Sequence, residues 1–177
     1  MAAPPVSVEK GETAGRRPLL GWLVVTLVVL ALDQFTKFEV TQSLDLYQRV
    51  PVLPFFDLVR LHNTGAAFSL LAGASGWQNW LFMAVAASVS AGVLWWLAQL
   101  PRRGKTLLAL GLALLLGGAL GNLIDRVIYG YVVDFILLYY GDWSYPAFNL
   151  ADSAITGGVA LVLFDGLVLE RRAATGG

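Results

Sequence analysis

Five aspartates stand in or beside long apolar stretches of this 177-residue chain: Asp33, Asp125, Asp134, Asp152 and Asp165. A carboxylate at membrane depth is costly and tends to mark function. The chain offers little other chemistry. It has no cysteine, which excludes disulfides, thiol catalysis, Cys-ligated metal and lipid attachment to a cysteine of its own. It has one histidine, His62, so an HExxH zinc site is impossible. Catalysis must fall to Asp, Glu, Ser, Lys or backbone groups, and neither a metal nor a cofactor is expected.

Asp134 lies in the apolar run Val132-Val-Asp-Phe-Ile136, and Asp152 closes Asn149-Leu-Ala-Asp152. Alone, the second segment reads as helix capping, with Asn at the N-cap and Asp three residues later in a capping box that also suits the helix dipole. Two carboxylates meeting in a low-dielectric pocket cannot both ionise cheaply and tend to share one proton. Such a pair can activate a water as base and protonate a leaving amide nitrogen as acid, which is aspartyl peptidase chemistry. Spacing alone does not bring the two together.

Asp33 and Lys37 are spaced i, i+4 with the acid first, the favourable order for an ion pair on a helix. They read either as a self-neutralising interfacial pair or as support for a site. Gly117-Gly-Ala-Leu-Gly121 contains a GxxxG spacing, which lets another helix approach closely. Asn122 and Arg126 follow one turn apart, with Asp125 on an adjoining face. They could orient a carboxylate or the carbonyl of a bound peptide. Asp165 reads as a snorkelling charge near Arg171 and Arg172.

The elements that must position these groups belong in a bilayer. Apolar residues make up 57% of the chain and charged residues 14%, against roughly half and a quarter in soluble domains. The formal net charge is zero, which argues against a nucleic-acid partner. Residues 1–17 read as a disordered tail. Apolar runs over Leu19 to about Phe38, about Trp77–Leu100, about Thr106–Leu123 and about Ala151–Leu169 are each long enough to span a core of about 30 Å. The first run is too long for a signal peptide and no small-x-small site follows it, so it reads as a retained helix. Trp77, Trp80, Trp95 and Trp96 sit towards the ends of the second run, as an interfacial belt requires.

Arg16, Arg17, Arg102, Arg103, Lys105, Arg171 and Arg172 fall on one side and make it cytoplasmic, with both termini inside. A single domain over residues 18–172 is expected, with a tail at 173–177. The outer connections are then about 41–76 and about 128–149. The first has a strand-like look over Tyr47–Leu53 and Phe56–His62, with Pro51 and Pro54 limiting the pairing. This gives a mainly α membrane protein of four helices with a small sheet at the outer surface, and it puts the first four aspartates towards that surface.

Five segments together resemble the signature boxes of lipoprotein signal peptidase (signal peptidase II): Asp33-Gln-Phe-Thr-Lys37, Asn63-Thr-Gly-Ala-Ala-Phe-Ser69, Gly117-Gly-Ala-Leu-Gly-Asn-Leu-Ile-Asp-Arg126, Val132-Val-Asp-Phe135 and Phe148-Asn-Leu-Ala-Asp-Ser153. They occur in the family's order over residues 33–158. The resemblance implies a bacterial inner-membrane aspartyl peptidase with a periplasmic β-cradle. Such an enzyme removes the signal peptide of diacylglyceryl-modified prolipoproteins by cutting before the lipidated cysteine, works without a cofactor among membrane lipids, and is expected to be a monomer. It implies Asp134 and Asp152 as the catalytic dyad, with Asn149 supporting Asp152. Asn63, Asn122, Asp125 and Arg126 would line or brace the site. Asp33 and Lys37 would serve activity or stability, and the box containing Gly65 marks where cradle meets site. Three other readings stand beside it: a small proton-coupled transporter, a Ser–Lys peptidase using Ser153 or Ser69 with Lys37, and a purely structural bundle.

Overall fold

A computed structural model of the chain describes residues 19–65, 77–101 and 104–169. The expected tails, Ser69 and the arginines at 16, 17, 102, 103, 171 and 172 lie outside the described residues. Four helices form the body: α1 (Leu19–Ser43), α2 (Trp77–Gln99), α3 (Thr106–Tyr129) and α4 (Leu150–Phe164), the last continued by a π-helical turn over Asp165–Leu169. All four are long and apolar enough to cross a membrane.

The helices are not equivalent. In α3, 61% of the apolar window is buried inside the protein, against 11%, 17% and 17% in the other three. The others therefore stand around α3 with most of their apolar surface free for lipid. Lipid is as apolar as leucine, so close packing rather than hydrophobic burial must hold them there. Glycines on α3 supply it. A Cβ on Gly117 would stand 2.8 Å from Val29 Cβ and 2.9 Å from the Thr26 carbonyl of α1, and one on Gly121 would stand 2.5 Å from Asp33 Oδ2. The GxxxG spacing is thus the bed of α1. Gly118 faces α4, where a Cβ would overlap the Ala151 carbonyl. Thr26 Oγ1 donates to the Ala113 carbonyl at 3.1 Å and fastens α1 to α3. Gly118→Val forces backbone against backbone and is expected to cost about 1–3 kcal/mol. Thermal unfolding in detergent will read this, and an unchanged midpoint would contradict the contact.

At one end of the bundle lies an antiparallel sheet of order β1-β2-β3-β4: β1 (Arg49–Leu53), β2 (Phe56–Asn63), β3 (Val132–Tyr140) and β4 (Trp143–Ser144). β1 and β2 fall where the alternation in the sequence put them, and the pairing slips between Pro51 and Leu53, since proline has no N–H for the ladder. β3 corrects the expectation that Asp134 stands in a plain connection. Its continuous apolar run is that of a strand covered on both sides, and Val132, Val133, Asp134 and Phe135 are all buried. Its partner is β2, with Leu61 opposite Asp134 and Asn63 opposite Val132.

Two helices run past their apolar windows, α1 to Ser43 and α3 to Tyr129. Hydropathy marks where the bilayer ends, while helix ends are set by caps and turns. The α3 end is set by Gly130, at φ 81° with its N–H bonded to the Arg126 carbonyl, a left-handed position glycine accepts without strain. Asp165 also departs from the snorkelling reading. It is 2% exposed and pairs with Lys105 Nζ at 2.9 Å, tying the start of α3 to the end of α4.

Candidate active site

At the sheet end of the bundle, backbone hydrogen bonds lay Phe148, two residues before α4, against β3. Phe135 N and Ile136 N donate to the Phe148 carbonyl at 3.0 and 2.8 Å, and Phe148 N donates to the Ile136 carbonyl at 3.0 Å. The next residue, Asn149, is the N-cap of α4. Asp134 and Asp152, 18 positions apart in sequence, are thereby brought to the same asparagine. Asn149 Nδ2 donates to Asp134 Oδ1 at 2.8 Å, while its backbone N–H donates to Asp152 Oδ2 at 3.2 Å. The capping box expected for Asn149 and Asp152 is present in both directions, so capping and site geometry are one arrangement.

Three asparagine amides face the two carboxylates, and in each the orientation is forced. A group that can only donate must meet the amide oxygen, which leaves the NH2 for the acid. Asn149 Oδ1 accepts from Asp152 N at 2.9 Å, turning its NH2 to Asp134. Asn63 Oδ1 accepts from Gly65 N at 2.8 Å, and its NH2 donates to Asp134 Oδ2 at 2.9 Å. Asn122 Oδ1 accepts from Lys37 Nζ at 2.9 Å, and its NH2 donates to Asp152 Oδ1 at 2.8 Å. Gly65 holds its place at φ 96°, where a Cβ would overlap the Phe82 ring.

Asp134 is 3% exposed. Burial pushes its carboxyl up to about 7, the negative charge of Asp152 adds to this, and the amides of Asn63 and Asn149 pull it partly back. At neutral pH it therefore exchanges a proton readily, as an acid catalyst must. A cavity of about 270 Å³ opens on it, walled by residues 61–64 within and after β2 and by Pro146 and Ala147.

Behind the amides is a buried charge cluster. Lys37 Nζ meets Asp33 Oδ2 at 2.8 Å, Asp125 Oδ2 at 2.9 Å and Asn122 Oδ1 at 2.9 Å, three acceptors for three protons. Asp33 Oδ1 also accepts from Ala151 N at 2.9 Å, in the first turn of α4. Asp125 Oδ2 also accepts from Val133 N at 3.3 Å, at the start of β3. The cluster therefore fixes both chain segments that carry the candidate dyad. Gln34, to which the sequence reading gave no role, links it by donating to Asp33 Oδ2, the Gly121 carbonyl and Asp125 Oδ1 at 3.2, 3.2 and 2.8 Å. The available signal was a polar side chain inside an apolar helix, which is informative even when uncharged.

Arg126 lies within electrostatic reach of Asp152, Asp134 and Asp125. Its guanidinium stands 5.2 Å from the centre of the Phe82 ring, and its buried Nε has no hydrogen-bond partner among the described residues. A Ser–Lys pair finds no support in the described residues. Lys37 is fully engaged, and Ser153 Oγ donates to the Asn149 carbonyl at 3.0 Å. Among the described residues no group of three or more metal-ligating side chains occurs.

The family model for signal peptidase (SPase) II matches residues 25–168. A lipoprotein signal peptidase of Pseudomonas aeruginosa is 51% identical over 153 residues, covering 85% of this chain and 88% of the relative. One of Alteromonas mediterranea is 49% identical over 146 residues, covering 82% and 80%. Two solved bacterial membrane enzymes superpose with TM-scores of 0.73 at 28% and 27% identity, covering 86% and 88% of this chain and 90% and 97% of theirs. None of these similarities favours a transporter. The chain is a membrane protease, and it belongs to the signal peptidase II family.

Proposed function

We propose that this protein removes the signal peptide from diacylglyceryl-modified prolipoproteins, cutting on the amino side of the lipidated cysteine, with Asp134 and Asp152 as the catalytic pair. The observation that carries the assignment is the shared asparagine: Asn149 bonds both carboxylates while burial keeps Asp134 protonatable near neutrality. The substrate enters laterally with its acyl chains in the bilayer, and its scissile bond reaches the cavity on Asp134. Asp152 accepts a proton from the attacking water, and Asp134 donates one to the carbonyl oxygen. As the diol intermediate collapses, Asp134 takes a proton back and Asp152 delivers one to the departing cysteine nitrogen. The products are a new carboxylate and a lipidated cysteine with a free amine. The sheet end of the bundle, which carries the acids, faces the periplasm across the inner membrane, with both termini in the cytoplasm and the chain acting as a monomer.

The purified protein should cleave a diacylglyceryl precursor peptide and leave the same peptide uncut when its cysteine is unmodified, as mass spectrometry of the products will show. Equal cleavage of both would overturn the substrate assignment. Asp134 also sets a pH dependence. Its raised pKa means the native state holds the proton that the acid step needs, and that proton is lost as pH rises through about 7. The rate should therefore fall on the alkaline side. The Asn63 amide holds that pKa down, so Asn63→Ala should move the alkaline limb to higher pH while lowering the maximum. A limb that stayed in place or moved to lower pH would contradict the assignment.

A further inference from the structure

A second cavity of about 280 Å³ lies at the sheet end between the last turns of α1 and α3, under β2 and β3. It shares no lining residue with the cavity on Asp134. The stacked rings of His62 and Tyr131, 3.7 Å apart, stand between the two, His62 lining one and Tyr131 the other. Its floor is the far side of the charge cluster, Gln34, Lys37 and Asp125, whose groups are already engaged. Arg60 of β2 is different. One of its nitrogens, Nη1, donates to the carbonyls of Thr41 and Leu44 at 3.0 and 2.9 Å. Its Nε is buried with no partner, and no carboxylate lies within 4 Å of the guanidinium, among the described residues. A half-buried cation with no acid beside it calls for an anionic acceptor.

The rim says which kind of anion. Phe38 and Tyr129, 58% and 57% exposed, flank the opening on the last turns of two helices apolar enough to cross a membrane. A tyrosine in that position marks the lipid headgroup level, and the exposed phenylalanine beside it offers apolar surface to acyl chains. We propose that this cavity binds the phosphodiester headgroup of a bilayer phospholipid on Arg60, with the acyl chains leaving over Phe38 and Tyr129. A guanidinium suits two phosphate oxygens at once, and the volume admits a phosphate with its ester carbons but no acyl chain. A lipid seated there touches Lys37, which is one hydrogen bond from Asn122 and two from Asp152. The site is independent of the peptidase assignment.

Native mass spectrometry of the full chain in detergent tests this, with dioleoylphosphatidylglycerol, dioleoylglycerol and inorganic phosphate as probes. One phosphatidylglycerol should bind per chain, at concentrations where dioleoylglycerol does not. Arg60→Gln and Gln42→Glu, the latter at an exposed lining residue, should each weaken binding about fivefold. Gln99→Glu, which adds the same charge at the opposite end of α2, should leave it unchanged. Should Arg60→Gln fail to fold, Gln42→Glu decides between the outcomes. Binding unaltered in the folded pocket variants would overturn the proposal. So would equal binding of dioleoylglycerol, and so would displacement by inorganic phosphate at matching concentrations, which would make this a site for free anions.

Discussion

Asp134→Asn and Asp152→Asn, made separately, are each expected to lower cleavage of a lipidated precursor by about 10²- to 10⁴-fold, the range that a positioned acid–base group contributes. Asparagine keeps the size of the side chain but cannot exchange a proton. The loss should exceed any effect on folding, which is also calculable. Both oxygens of each carboxylate accept hydrogen bonds: Asp134 from Asn63 and Asn149, Asp152 from Asn122 and the Asn149 backbone. Either substitution sets one NH2 against a donor, at about 1–3 kcal/mol. Both variants should therefore fold, with a lowered midpoint, and bind precursor without cutting it. Single-turnover cleavage by purified protein separates the outcomes. A variant that is folded and cuts at near the wild-type rate would remove that residue from the chemistry and revive a structural role for the pair.

The sequence carried the helices because apolar runs of this length have few other uses, and it carried the acids because charge is conspicuous in such runs. It did not carry the meeting of Asp134 with Asp152. That depends on the pairing of β2 with β3 and on the Ile136–Phe148 bridge, contacts between segments far apart in the chain. Nor did it reveal β3, whose unbroken apolar run lacks the alternation that betrays a half-exposed strand. The capping reading of Asn149 and Asp152 was correct and incomplete: the same bonds that close the helix start also hold one acid beside the other. Asp33 and Lys37 left two readings open, an interfacial pair or support for a site, because helical spacing reports only neighbours on one helix. Their third and fourth partners, Asp125 and Asn122, come from α3. Asp165 was misjudged for the same reason, since Lys105 approaches it from a different turn of the chain.

That cluster yields the second large effect. Lys37 is 4% exposed, Asp33 0% and Asp125 1%. Removing the cation by Lys37→Met leaves two buried carboxylates with no positive partner within 4 Å among the described residues. Breaking a buried pair from one side costs about 3–5 kcal/mol, or roughly 10 °C in midpoint for a chain of this size. Activity should fall as well, because Lys37 is the shorter of the two donors that turn the Asn122 amide towards Asp152, the other being Asn149 Nδ2. The double variant Asp33→Asn with Lys37→Met tells charge from shape. Asparagine can still accept from Ala151 N through its oxygen, the contact Asp33 Oδ1 makes now, and it removes one of the two stranded charges. Thermal unfolding of the four proteins in that cycle should show the double variant more stable than Lys37→Met alone. Its activity should stay low, because the Asn122 amide oxygen then keeps only the longer bond from Asn149 Nδ2, at 3.2 Å. If instead Lys37→Met unfolded like the wild type, the cluster would not be what holds α4 and β3 in place, and the geometry of the dyad would need another source.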